Sequence, residues 1–311
     1  MIISSEVPSQ YNDFSLIDYL SSRFTYLTRD QWRSRIDEGR ISCNKSVGNA
    51  TVCLKTGDTV SYDMPDFKEP PADLNYTIIY EDDWILGIDK PGNLLVHHKG
   101  KSFKSNLIYQ LRYVHEPAYE KAGVVNRLDR ETSGAVIIAK DKETLILMNK
   151  LFAKRQVKKE YLAIVHGIPK PSSGVIDQSI GTMADSKVSY KHGINGKNAK
   201  QAITRYELVS QIGDTYALLR LFPETGRTHQ LRVHMQWLGH TIVGDKLYGL
   251  TDDEFLAWQK TPEMINKKMV FPRLALHCKS LSFMHPHTSK HCSMTVELPR
   301  DIKDFLNKNS M

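Results

Sequence analysis

The stretch Met64 to Leu74, reading MPDFKEPPADL, sets three prolines and alternating charge between two regions of different pattern. Proline lacks a backbone donor and fixes φ, and the residue before it avoids helical dihedrals, so no helix or central strand can run through here. The chain is therefore expected to fold as two pieces joined by a hinge: residues 1–66, a linker over 67–75, and residues 76–311. Of the 311 residues 41% are apolar and 25% charged, enough for the larger piece to bury a core of its own. The smaller piece is marginal alone by size.

Upstream of the hinge, Leu16, Ile17, Leu20 and Phe24 recur at helical spacing. Thr28 followed by Gln31 is a capping box that opens a second helix, which Gly39 stops. Brief strands are expected at Ile41–Asn44, Val52–Leu54 and Thr59–Tyr62. On the second helix Arg29 and Arg33, with Arg40 just beyond, flank the apolar Trp32 and Ile36. One edge can thus offer cations to phosphates, although a plain solvated helix face has the same pattern. The order of elements over residues 14–63 resembles the small helix-helix-strand RNA-binding module found in a ribosomal small-subunit protein and appended to several RNA-modifying enzymes. That resemblance implies that Arg29, Arg33 and Arg40 contact RNA.

Lysine and arginine number 42 against 35 acids, a net charge of +7. The first 66 residues hold 7 basic and 9 acidic residues, so the surplus lies in the larger piece. Such a surplus suits a polyanionic partner without requiring one. No apolar run approaches the roughly 18 residues of a membrane span, and the four cysteines form no CxxC pair, so a soluble cytoplasmic protein with free thiols and no membrane partner is expected. A monomer is the default expectation.

Beyond the hinge, strand-like pieces dominate: Tyr76–Tyr80, Ile85–Asp89, Ala135–Ala139, Tyr161–Val165, Ala202–Val209, Thr215–Phe222 and Met294–Leu298. Helical spacing recurs at Leu145, Met148, Leu151 and Phe152 after an Asp141 cap, and at Leu231, His234, Met235 and Leu238. Strands outnumber helices without strict alternation, so the fold class is α+β, a mostly antiparallel mixed sheet with helices packed on it.

Chemistry concentrates in Val125 to Asp141, VNRLDRETSGAVIIAKD. Asp129 lies between Arg127 and Arg130 in a polar stretch that runs into an apolar strand. Flanking cations favour an ionised carboxylate, as a nucleophile or proton acceptor requires, but a surface loop whose Asp and Arg merely pair would look the same. Arg127-Leu128-Asp129-Arg130-Glu131-Thr132-Ser133-Gly134 resembles the signature loop of the RluA family of pseudouridine synthases. Further motifs follow in order: Lys90-Pro91-Gly92 with Val96-His97, Lys159-Glu160-Tyr161-Leu162-Ala163, Gly226-Arg227-Thr228-His229-Gln230-Leu231-Arg232-Val233-His234, Gly244-Asp245 with Tyr248-Gly249, and Arg273-Leu274-Ala275-Leu276-His277. The likeness spans about residues 74–298. The family histidine before the arginine is Asn126 here, so any hydrogen bond of that ring must be remade by an amide.

By this resemblance the larger piece has a catalytic domain of pseudouridine synthase type, which detaches a uracil, rotates it and rejoins it to ribose through carbon five. Asp129 would be the catalytic aspartate, Tyr161 would lie against the base, and Arg227 would pair with Asp129 in a cleft. Arg127 would enter the space left by the flipped nucleotide, and Arg130, Lys159 and Arg232 would add RNA contacts. The RNA is expected to be ribosomal, with transfer RNA as the alternative; a non-catalytic RNA-binding or ribosome-assembly factor on the same fold is the other reading. No GxxxxGK[ST] or GxGxxG is present, so no nucleotide cofactor is implied. His285, His287, His291 and Cys292 are zinc-compatible types at a spacing that matches no standard site, and no metal is expected.

Overall fold

The protein, seen here in a computed structural model that describes residues 1–65, 67–266 and 269–309, divides into two compact units, 1–68 and 69–311. Asp66, at the expected boundary, lies outside the described residues.

The first unit runs β1 (Ile2–Glu6), α1 (Leu16–Arg23), α2 (Arg29–Asp37), β2 (Ile41–Cys43), β3 (Ser46–Val47) and β4 (Thr59–Asp63). Its antiparallel sheet is ordered β1-β4-β2-β3. Ser15 caps α1, and Thr28 with Gln31 closes the capping box of α2. Leu16, Tyr19, Leu20, Trp32, Ile36 and Ile41 form the core, each large apolar side chain contributing on the order of 1.5–3 kcal/mol on burial. Trp32 satisfies its indole N–H on the Phe24 carbonyl at 3.0 Å. Val52–Leu54 is not a strand: it makes one bridge, Cys53 to Ser15, because its neighbour enters α1 at Leu16 and leaves the extended form. Edge strand β1 escapes sequence reading because Ser4 and Ser5 interrupt its apolar residues.

In the second unit the strands are β5 (Thr77–Glu81), β6 (Ile85–Lys90), β7 (Gly123–Val124), β8 (Ser133–Ala139), β9 (Lys158–His166) and β10 (Ser173–Asp177). They continue with β11 (Ile180–Thr182), β12 (His192–Ile194), β13 (Lys197–Lys200), β14 (Ile203–Ile212), β15 (Tyr216–Pro223), β16 (Leu276–Met284) and β17 (His291–Thr295). The helices are α3 (Leu107–Tyr113), α4 (Lys142–Ala153), α5 (Gln230–Trp237), α6 (Lys246–Gly249), α7 (Asp252–Lys260), α8 (Pro262–Asn266) and α9 (Arg300–Asn309).

The main sheet is ordered β10-β14-β15-β9-β16-β8-β6-β5, with β17 added to β16 and β7 to β8. Of its pairings only β8 with β16 is parallel. Strand β8 is buried at every position, as its sequence SGAVIIA requires of a strand covered on both faces. Neighbouring β16 was not legible as a strand: a bulge between Cys278 and Ser280 breaks the period of two, so the buried positions run 276, 277, 278, 281, 283. The expected strand Met294–Leu298 is shifted to β17, His291–Thr295.

The register sets Gly134, Cys278, Tyr161 and Leu221 in one row across four strands. At the end of that row the chain must come close: Gly134 has φ +109°, and a Cβ there would lie 2.7 Å from the Cys278 backbone nitrogen and nearer still to its carbonyl oxygen. Gly134→Ala therefore combines a forbidden backbone region with overpacking, and is expected to destabilise the second unit by about 2–4 kcal/mol in urea unfolding. A midpoint equal to that of the parent protein would show that β8 and β16 approach less closely than described.

Candidate active site

Asp129 sits on the loop between β7 and β8, and buried groups hold that loop from below. Asn126 accepts the Ile137 amide N–H at 2.7 Å and donates to the Ala135 carbonyl at 3.4 Å, so its amide spans two residues of β8. Lys90, fully buried at the end of β6, donates its Nζ protons to the carbonyls of Pro91, Leu94 and Arg130 at 2.8, 2.9 and 3.3 Å. Burial pushes this lysine down to about 7, but three carbonyl acceptors match the three protons of an ammonium. Glu131 accepts from Lys246 Nζ at 2.9 Å and from the Leu274 amide at 3.0 Å, while Arg273 donates to the Glu131 carbonyl at 3.0 Å. Strands β6 and β8, α6 and the segment before β16 thus hold the loop at Asn126, Arg130 and Glu131.

The carboxylate of Asp129 accepts one hydrogen bond from Arg232 Nη1 at 2.8 Å. The rest of that guanidinium forks onto Asp245 at 2.7 and 2.8 Å. Asp245 is itself sealed from solvent and caps α6 by accepting the Leu247 and Tyr248 amides at 3.0 Å each. The Arg232 side chain is 12% exposed, whereas that of Asp129 is 37% exposed, so the arginine is locked inside and the aspartate remains reachable from the cleft. Burial would raise Asp129, but the Arg232 charge and hydrogen bond, helped by Lys90, outweigh it and hold the carboxyl below its ordinary 3.8. The guanidinium also lies 5.0 Å over the Tyr248 ring.

Tyr161 projects from β9 beside the Cys278 thiol, 9% exposed. Burial raises its phenol far above the ordinary 10, and the Cys278 thiol and, more weakly, the Asp129 charge add to this. His229 opens α5 in the left-handed region at φ 56°, its Nδ1 2.9 Å from the Tyr248 hydroxyl.

Several expected roles move. Arg227 does not pair with Asp129: it lies in the turn before α5 and donates to the Gln201 carbonyl at 3.0 Å, whereas Arg232, on the helix, reaches the carboxylate. Arg232 is accordingly not a free phosphate contact. Lys159 turns inward to donate to the Thr225 carbonyl at 2.9 Å, and burial pushes it down to about 8. Arg130 tethers Asn93 and Pro71 at 2.9 and 2.6 Å. Arg127 stays exposed, with no ion pair among the described residues. In the first unit Arg29 pairs with Asp18 at 2.5 Å and Arg40 with Glu38 at 2.7 Å, while Arg33 is exposed, with no ion pair among the described residues. His287 stacks on Trp84 at 4.8 Å, and among the described residues no cluster of three His, Cys, Asp or Glu is placed to hold a metal. Nor, among them, is any helix long and apolar enough to cross a membrane.

Asp245 and Tyr248, quoted from sequence without a role, are the residues that sequence reasoning missed. The available signal was a buried-type Asp directly ahead of a short helix, which marks an N-cap, with an arginine fork to complete it.

Residues 85–237 match the family described as RNA pseudouridylate synthase. Over 305 residues the chain is 36% identical to an uncharacterized RNA pseudouridine synthase of Chlorobaculum parvum, covering 93% of this chain and 92% of that one. The chain belongs to the RNA pseudouridylate synthase family. It is also 32% identical to the ribosomal large subunit pseudouridine synthase D of Vibrio cholerae, over 91% of this chain and 87% of the relative. Among solved structures, human RNA pseudouridylate synthase domain containing 1 superposes with a TM-score of 0.58 at 28% identity, covering 75% of this chain and 87% of that one. The α+β architecture is that of pseudouridylate synthase domains, and the activity is RNA pseudouridine synthesis.

In this synthase Arg232→Gln leaves Asp245 buried without its cation and is expected to cost about 3–5 kcal/mol in urea unfolding. Combining it with Asp245→Asn should cost markedly less than the two single changes summed. Simple additivity would show that the two charges do not sense each other.

Proposed function

We propose that the chain isomerises uridines in large-subunit ribosomal RNA, with Asp129 as the catalytic carboxylate. The ribosomal assignment is supported by relatives described as ribosomal large subunit pseudouridine synthases D and C, from Vibrio cholerae and Buchnera aphidicola, at 32% and 31% identity over most of their lengths. The catalytic assignment is carried by one observation: Asp129 is an ionised carboxylate, 37% exposed, aimed by a buried arginine beside an inward tyrosine.

A uridine in a stack keeps its glycosidic carbon out of reach of such a group, so the nucleotide must be extruded at a cost of a few kcal/mol. Arg127, exposed two residues before Asp129 and without an ion pair among the described residues, fills the space the base leaves. The Tyr161 ring offers the extruded uracil a flat apolar face. Asp129 then acts on the sugar, by attack at its anomeric carbon or by removal of a sugar proton; either needs the ionised form, which Arg232 maintains. In the first unit, exposed Arg33 on α2 adds a phosphate contact.

Asp129→Asn is expected to bind the RNA with unchanged affinity and to form no pseudouridine, measured by single-turnover assay on an unmodified large-subunit transcript. Turnover within tenfold of the parent would remove Asp129 from the chemistry. Because the folded carboxyl lies below 3.8, its stabilising contribution is fully present above that pH and is lost as pH falls through the lower folded value; the rate profile should show no acid limb from Asp129 between pH 5 and 7. Mapping modified uridines with and without the gene tests the RNA: sites confined to transfer RNA would replace the ribosomal assignment.

A further inference from the structure

The mechanism above leaves one demand unmet. When the bond between the anomeric carbon and N1 breaks, its electron pair passes to the uracil, and the negative charge spreads over N1 and the adjoining ring carbonyl oxygens. Neither Asp129, an anion, nor the Tyr161 ring face neutralises it. A donor aimed at the departing base is required, and it must not itself be a strong acid that protonates Asp129.

His229 has the geometry of such a donor. Its Nδ1 lies 2.9 Å from the Tyr248 hydroxyl, and that oxygen already accepts the His192 amide N–H at 3.3 Å. The Tyr248 hydroxyl can donate as well as accept, so this contact fits either ring tautomer; in the one where the phenol donates, His229 Nδ1 is the acceptor. An imidazole that accepts at Nδ1 carries its proton on Nε2. Tyr248 is fixed in turn, buried at 3% exposure beneath the Arg232 guanidinium that grips Asp129. His229 and Asp129 are therefore tied to the same Tyr248–Arg232 cluster. The ring is placed by an uncommon backbone, φ 56° at the N-cap of α5, three residues before Arg232 in the chain. The ring is half-buried, and among the described residues no hydrogen bond engages its Nε2. Burial and the Arg232 charge hold the imidazole well below its ordinary 6.5, which keeps it neutral beside Asp129.

We propose that His229 is a further catalytic residue, which donates its Nε2–H to the ring carbonyl oxygen of the flipped uracil where negative charge develops as the glycosidic bond breaks. This rests on the assignment of Asp129 to the same cleft. The imidazole keeps its proton throughout; it stabilises the uracil anion as a neutral donor until carbon five bonds to the anomeric carbon, with the Asp129 oxygen displaced or the sugar proton returned, after which the carbon-five proton passes to water and N1 takes one from water. The role is the same whether Asp129 attacks or abstracts.

The test has two readouts on the full chain. Nitrogen-15 spectra of the free protein at neutral pH are expected to show His229 as the Nε2–H tautomer; an Nδ1–H ring or an imidazolium would overturn the proposal without any RNA present. In single-turnover assays on an unmodified large-subunit transcript, His229→Ala is expected to lose roughly 10²–10³-fold in rate with the dissociation constant for RNA unchanged, the loss typical of one missing anion-stabilising donor. His229→Gln, which retains a side-chain N–H, should recover part of that loss. A rate within threefold of the parent for His229→Ala, or a loss appearing wholly as weaker RNA binding, would overturn it. An inactive parent protein would instead refute the ribosomal reading, and the tautomer would still decide the donor.

Discussion

The site depends on one guanidinium shared by two carboxylates. Arg232 spends a bidentate fork on Asp245, which is sealed in the core, and one further N–H on Asp129, which is not. The first pairing offsets the desolvation of a charge the fold has already buried. The second can then hold a reachable carboxylate at one position and in one ionisation state without closing it off. An arginine with only Asp129 as partner would be free to swing out toward RNA phosphates; the fork to Asp245 forbids that.

A second layer of charges immobilises the loop itself. Lys90, Glu131, Lys246 and Arg273 each place a polar head among backbone carbonyls or amides of the segments around Asp129. Such contacts specify one loop conformation rather than supplying much net stability, since buried ion pairs largely offset their own desolvation. The main sheet contributes rigidity: Gly134 lets β8 press against β16, and this fixes how far the Asp129 loop stands from Tyr161.

What was legible in the sequence followed regular spacing. The helices of the first unit have regular spacing and clear caps, such as the capping box at Thr28, and the apolar run Ile85–Asp89 marked β6 to within one residue. Strand β16 was hidden by its bulge, and the ladder expected at Val52–Leu54 lost its partner to α1. In the site, Asp129 and Tyr161 were named from ordered motifs, but the choice between Arg227 and Arg232 turned on where α5 begins. His229 in a left-handed conformation shifts that start past Arg227, and side-chain patterns carry no clear mark of it. The same holds for the surface cations: Lys159 and Arg130 are indistinguishable in sequence from Arg127, yet among the described residues they find protein acceptors and Arg127 has no ion pair.

The central claim is that Arg232 sets the charge state of Asp129. Carbon-13 titration of the Asp129 side-chain carboxyl, followed in the parent protein and in Arg232→Gln, tests it directly. The expected result is a midpoint below 3.8 in the parent that rises when the guanidinium is removed. A midpoint at or above 3.8 in the parent, or one that ignores the loss of Arg232, would contradict it.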